Sequence, residues 1–286
     1  MRFLFVSQIT QIDGQKIRGQ VEFSDQEPWR HTNAKGDVCI NNSVVSEAVG
    51  QLVSWMALRD NDFKGRPVFL FLDRIHFQGS VPAPGVVDLE AWISNRDEDS
   101  FIFSGTAKVN GQTVLEITDS GGYFMPLAEL EDPAVTRQRF ETLTSTGIGA
   151  NPSGPQFDTT QLVDEIKDLT PGQTVSAIKV MRLDEPFYAD HFPRFPVTPI
   201  VVINEMIMEA TRRMMTGIGA EPGSKSRGIE PVAVQDLKIK SFIRPGDTAI
   251  TNVKVVERIG DEFEAISEIL INKKRILRGR YRYRFI

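Results

Sequence analysis

His191 sits in the run Glu185-Pro186-Phe187-Tyr188-Ala189-Asp190-His191-Phe192-Pro193-Arg194-Phe195-Pro196, and Glu205 follows it by fourteen residues. A degraded copy, Glu27-Pro28-Trp29-Arg30-His31-Thr32-Asn33, lies near the N-terminus, and Glu47 follows Asn33 by fourteen residues. An imidazole titrates near neutrality and can take and return a proton. A carboxyl on an apolar helix can be held protonated as a donor, or can fix a water. These are the two residue types of general acid–base chemistry. One copy keeps both; the other has Asn33 where the histidine would stand. A histidine between Ala-Asp and Phe-Pro can also be a packed loop residue, and a buried carboxyl can simply pair with an arginine or a backbone group. The repeated spacing favours catalysis for His191. His31 falls two residues short of the histidine position and would enter a site only through a shifted loop. His76 falls within strand-like sequence and reads as structural.

The elements that must position these residues are themselves duplicated. The offset between copies is 158 from Gly14-Gln15, matching Gly172-Gln173, through Glu47, matching Glu205. Further on, Asp73-Arg74-Ile75-His76-Phe77 with Pro84-Gly85 parallels Asp236-Leu237-Lys238-Ile239-Lys240 with Pro245-Gly246. Two units of ordinary domain size are expected, 1–126 and 161–286, joined by a linker at 127–160. Ala128 to Leu143 is charged and reads as partly helical, and Ser145 to Pro155 as loop. Each unit reads as strand, Glu-Pro-aromatic loop, long helix and strand meander. The first helix is expected over 43–58, capped by Asn41 or Asn42, and the second is expected to be capped by Thr198 with Pro199 in its first turn. Both are apolar nearly all round and should be buried. Strands are expected at Val68–Phe71, Ile75–Gln78, Val86–Ser94, Phe101–Val109 and Thr113–Phe124, with Asn110-Gly111 as a hairpin turn, and again from Ala233 to Phe285. Met1 to Val6 reads as an edge or first strand. One buried helix wrapped by an antiparallel sheet, twice over, is an α+β architecture.

Composition narrows the class. The chain is 41% hydrophobic and 25% charged, with a net charge of −5, which argues against general nucleic-acid binding. Cys39 is the single cysteine, so no internal disulfide can form and a reducing, cytoplasmic setting is expected. No metal-ligand cluster is legible, no cofactor is implied, and no segment reads as a signal peptide or a membrane span. Arg278, Arg280, Arg282 and Arg284 alternate with Gly279, Tyr281, Tyr283 and Phe285, the pattern of a strand with one basic face. That face is either a solvated sheet surface or a docking surface for an acidic partner.

His191-Phe192-Pro193-x-x-Pro196-x-x-Pro199, with Glu205 fourteen residues after the histidine, resembles the signature of β-hydroxyacyl-ACP dehydratases of the FabA/FabZ type. Leu237 to Asp247 resembles that family's strand leading into a Pro-Gly-Asp turn, and Phe3 to Gln15 its N-terminal strand and turn. The chain departs from the pattern at Asp190, Arg194 and Ile200, where the family usually carries glycine. The resemblance implies a double hot-dog fold in which the two units form a pseudo-dimer. It also implies that each active site lies between units, the histidine from one and the acid from the other. Carried over, the working pair is His191 with Glu47, whose helix reads Glu47-Ala48-Val49-Gly50-Gln51, close to the family pattern. Asn33 with Glu205 becomes a degenerate site. Ile200 and Val201 amides would stabilise the thioester oxygen, and Gln51, Tyr188, Phe192 and Pro193 would line the pocket. The implied activity is dehydration of 3-hydroxyacyl thioesters to enoyl thioesters in fatty-acid or polyketide-like synthesis. Acyl carrier protein is the implied partner and a CoA thioester a possible one, with the chain acting as a monomeric pseudo-dimer or a higher homo-oligomer. Two alternatives stay open: a hot-dog acyl thioesterase, and a non-catalytic protein that binds acyl chains or acyl carrier protein.

Overall fold

The structure is a computed structural model that describes residues 4–33, 35–148, 161–218 and 228–286. The first half comprises β1 (Gln8–Asp13), β2 (Lys16–Phe23), β3 (Arg30–Thr32), β4 (Val38–Ile40), α1 (Asn42–Asp60), β5 (Gly65–Phe77), β6 (Val81–Pro82), β7 (Gly85–Arg96), β8 (Ser100–Val109) and β9 (Gln112–Pro126). The short α2 (Leu127–Leu130) and α3 (Pro133–Ser145) follow. The second half comprises β10 (Glu165–Thr170), β11 (Thr174–Val180), a 3-10 turn (Pro186–Ala189), α4 (Ile200–Met215), β12 (Ile229–Ile239), β13 (Thr248–Ile259), β14 (Glu262–Ile271) and β15 (Lys274–Phe285).

Twelve strands form one antiparallel sheet in the order β1-β2-β7-β8-β9-β5-β12-β15-β14-β13-β11-β10. Read from its centre, the order is the same in both directions. The halves meet where β5 pairs with β12, from Phe71 opposite Lys238 to His76 opposite Ala233. The strands expected at 68–71 and 75–78 are thus one strand, bent by a register shift between Phe69 and Phe71. A small sheet of β3, β4 and β6 is an addition in the first half.

Helices α1 and α4 lie inside the curve of this sheet and touch each other. Val44, Val45, Ala48, Val49, Leu52 and Met56 of α1 are fully buried. Close approach to β8 depends on Gly105, where a Cβ would stand 2.6 Å from Val49 Cγ1 and 2.8 Å from the Glu90 carbonyl oxygen. Asn41 is the N-cap of α1, yet its side chain makes no capping bond. Pro199 rather than Thr198 is the N-cap of α4, and the Thr198 hydroxyl instead bonds the Tyr188 hydroxyl at 2.8 Å. The expected strand at the N-terminus is displaced: Leu4, Phe5 and Val6 are buried but irregular, and the edge strand is β1. Met1 to Phe3, like Asn151 to Pro155 of the expected loop, lie outside the described residues.

The Glu-Pro-aromatic motifs have a packing role in both halves. Trp29 and Phe187 are buried, and Glu185 lies 2.9 Å from the buried Lys179 ammonium, which also meets Asp164 at 3.3 Å. On the basic face of β15, Arg278 pairs with Glu268, Arg280 with Glu264 and Arg284 with Glu262, all on β14, while Arg282 is exposed between them. These cross-strand pairs offset much of its charge and support the sheet there.

Candidate active site at the seam

One cleft of about 730 Å³ is lined by residues from both halves: Glu47, Gln51 and Ser54 of α1, Arg66 to Phe69 of β5, His191 and Phe192 of the proline loop, and Ile200 and Ile203 of α4. The loop is rigidly placed. The His191 amide donates to the Phe187 carbonyl, the Phe195 amide to the Phe192 carbonyl, and the Arg194 amide to the Leu130 carbonyl. Phe192 takes φ = 55°, a left-handed conformation that costs a bulky residue energy and persists only where surroundings enforce it. Its ring stacks on the His191 imidazole at 4.2 Å, and the Arg66 guanidinium lies over it at 5.2 Å. Arg194, where glycine is usual in the resembling family, ties the loop to α2 and α3 through the Ala128 and Glu131 carbonyls and the Asp132 carboxylate.

His191 Nδ1 lies 3.1 Å from the Val197 carbonyl oxygen. A carbonyl can only accept, so Nδ1 carries the proton and Nε2 keeps its lone pair. Burial pulls the imidazole down to about 4, against the Val197 bond, with Arg66 adding to the drop. Glu47 is shifted the other way: burial raises its carboxyl, partly offset by a bond from Gln51 and by Arg66. Gln51 Nε2 donates to Glu47 at 3.2 Å while its carbonyl accepts the Phe5 amide at 2.8 Å, so the N-terminal segment fixes the glutamate's neighbour. A neutral imidazole and a carboxyl that resists ionisation thus line the same cleft, the two protonation states that general acid–base chemistry uses. The first turn of α4, at Ile200, enters the same cleft, and such amides have no acceptor within the helix.

A family model described as a FabA-like domain matches residues 155–279, the half that carries His191. The 3-hydroxyacyl-[acyl-carrier-protein] dehydratase FabZ of Burkholderia thailandensis is 32% identical over 111 residues, covering 38% of this chain and 69% of that protein. The chain belongs to the FabA/FabZ-type dehydratase family. The dehydratase domain of RzxB from Pseudomonas fluorescens superposes with a TM-score of 0.57 at 10% identity, over 99% of this chain and 100% of that one. A Lactobacillus plantarum protein described as an oleoyl thioesterase superposes at 0.61 and 11% identity, over 96% and 98%. At those identities the likeness is one of fold, and the fold is the double hot-dog.

Within this FabA/FabZ-type chain the structure brings together Glu47, Gln51, His191, Phe192 and Ile200 around the cleft. Two residues expected to line it, Tyr188 and Pro193, and one expected to offer its amide, Val201, are not among the lining residues. Val201 is fully buried on α4, Pro193 is exposed, and Tyr188 sits behind Thr198, which lines the cleft in its place. Burial pushes the Tyr188 hydroxyl up to about 12, so it stays protonated. His76 lies exposed on β5. Sequence reading missed Arg66, Phe69 and Phe242. Arg66 and Phe69 come from β5 and Phe242 from the segment after β12, and only the fold carries them to the loop.

A second cleft, about 580 Å³, lies at the N-terminus of α1. Glu205 lines it, as the duplication predicts, but Asn33 does not. The Asn33 side-chain Oδ1 instead accepts the amides of Lys35 and Asp37 and closes the β3–β4 turn. His31 stands in the cleft, and its Nδ1 lies 3.0 Å from Asn41 Oδ1. Asn41 Nδ2 donates to Glu205 Oε2 at 3.0 Å, and the Ser43 hydroxyl to Oε1 at 2.5 Å. Here lies the reason α1 lacks a side-chain cap. A capping asparagine stabilises a helix by about 1 kcal/mol, and Asn41 is turned away from that role to join His31 to Glu205.

Proposed function

We propose that the chain dehydrates 3-hydroxyacyl thioesters at the His191–Glu47 cleft. His191 Nε2 takes the α-proton, the Glu47 carboxyl protonates the departing hydroxyl, and water and an enoyl thioester leave. The first-turn amides of α4 at Ile200 would hold the thioester oxygen as it gains charge. An adjoining cavity of about 570 Å³ shares Glu47, Phe69, Ile200 and Ile239 with the cleft and is walled by Phe103, Ile117 and Leu237, which suits an acyl tail. Acyl carrier protein is the proposed carrier, as in the name of the Burkholderia relative. The observation that carries this reading is that an imidazole from one half and a carboxyl from the other, with opposite shifts in acidity, face one cleft.

The test is turnover of 3-hydroxyacyl thioesters on acyl carrier protein and on CoA, followed by mass spectrometry of the acyl group. Loss of water, cut at least a hundredfold in His191→Ala and in Glu47→Gln, is the expected result. Release of free thiol with the acyl group intact would make the chain a thioesterase. Binding with no chemistry at all would make it a carrier of acyl chains.

A further inference from the structure

The second cleft repeats the chemistry of the first with different parts. His31 comes from the first half and Glu205 from the second, so the crossed arrangement is preserved. The histidine position of the duplicated loop was filled by an asparagine that folds a hairpin, and the hairpin presents the histidine two residues earlier. Asn41 Oδ1 can only accept, so His31 Nδ1 carries the proton and Nε2 keeps its lone pair, the tautomer found for His191. The shifts run in the same directions too. Burial lowers His31 and raises Glu205. The charged groups facing the pair are Arg212 and Glu230 beside His31, and Arg212 and Glu209 beside Glu205. The N-terminus of α1, at Asn42 and Ser43, borders this cleft as that of α4 borders the other.

We propose that the His31–Asn41–Glu205 cleft is a second active centre for 3-hydroxyacyl thioesters, with His31 as base, Glu205 as acid and Asn41 as the residue that positions both. This rests on the dehydratase reading of the first cleft. His31 Nε2 removes the proton from the α-carbon. The electron pair of that C–H bond forms the α,β double bond as the β-carbon–oxygen bond breaks, and the hydroxyl leaves as water with the Glu205 proton. The imidazolium then returns its proton to the glutamate through solvent. The apolar cavity that adjoins the first cleft also shares Ser46, Ile75, Asn204 and Val234 with this one, so two long tails would compete for one space. A short acyl chain is therefore the right probe.

The experiment measures dehydration of 3-hydroxybutyryl-pantetheine by the wild type, His191→Ala, His31→Ala and the double variant. His191→Ala is expected to retain a rate at least tenfold above the double variant, and Glu205→Gln in the His191→Ala background to remove it. If His31→Ala misfolds, His31→Gln, which keeps a donor toward Asn41 but no base, takes its place. His191→Ala falling to the level of the double variant sinks the second centre alone. A wild type with no turnover on any chain sinks the dehydratase reading and this inference together. Asn41 has its own readout. Its bond raises the His31 pKa and lowers that of Glu205. In the His191→Ala background, Asn41→Ala should therefore widen the bell-shaped pH profile at both limbs. A profile that drops without moving either limb would show Asn41 to be a packing residue.

Discussion

The depressed imidazole of His191 has a consequence for stability that needs no substrate. Its ordinary pKa is 6.5 and its native one about 4, from burial first, against the Val197 bond, with Arg66 adding to the drop. As pH falls through 6.5 the unfolded chain takes up this proton and the native chain does not. Native stability is therefore lost from there down to about pH 4. At about pH 5 the difference amounts to about 2 kcal/mol, and below the native pKa it approaches about 3 kcal/mol, at about 1.4 kcal/mol per unit. The raised carboxyl of Glu47 acts with the opposite sign, its stabilisation present at low pH and lost as pH rises, but it is common to both proteins in a matched comparison. Urea unfolding of the wild type and of His191→Gln, at about pH 7.5 and about pH 5, isolates the histidine. The wild type should lose about 2 kcal/mol more than the variant on acidification. Equal losses would mean that the imidazole takes up its proton at the same pH in the native cleft as in the unfolded chain, and the depression by burial would be refuted.

Three further outcomes test the scaffold. Lys273 takes φ = 63° in the turn that matches Asn110-Gly111, so Lys273→Gly should stabilise the fold by about 1 kcal/mol, read as a higher urea midpoint with an unchanged slope. Lys179→Met strands the carboxylates of Asp164 and Glu185 against a buried apolar chain and should destabilise by about 3 kcal/mol, read as a lower melting temperature. Gly105→Ala forces a methyl against Val49 and the Glu90 carbonyl and should cost about 2 kcal/mol in chemical denaturation, by pushing α1 off β8.

Much of the fold was legible because it is written twice. The match of Gly14-Gln15 to Gly172-Gln173, and of Asp73 to Asp236, predicts equivalent strands, and β5 and β12 prove to be the equivalent pair at the join. The helices were legible from apolar spacing, although the cap of α4 fell one residue later than the threonine suggested, because the Thr198 hydroxyl is engaged by Tyr188. Of the site, the crossed His191–Glu47 pairing rested on family resemblance, since spacing within one copy points to Glu205 instead. The His31 cleft was obscured by register. Alignment put Asn33 at the histidine position, and only the hairpin shows that this residue builds the turn while its neighbour but one faces the cavity. Arg66 was invisible for a different reason, because its role comes from stacking over Phe192, far away along the chain.

The palindromic strand order, closed by a covalent connection instead of by association, changes what a single substitution can do. In a pair of identical subunits each replacement is imposed at both catalytic seams. Here Arg66 in the wall of the first cleft and Tyr281 and Tyr283 in the wall of the second can be altered independently, so the breadth of one mouth can be tuned while its counterpart is left as it was.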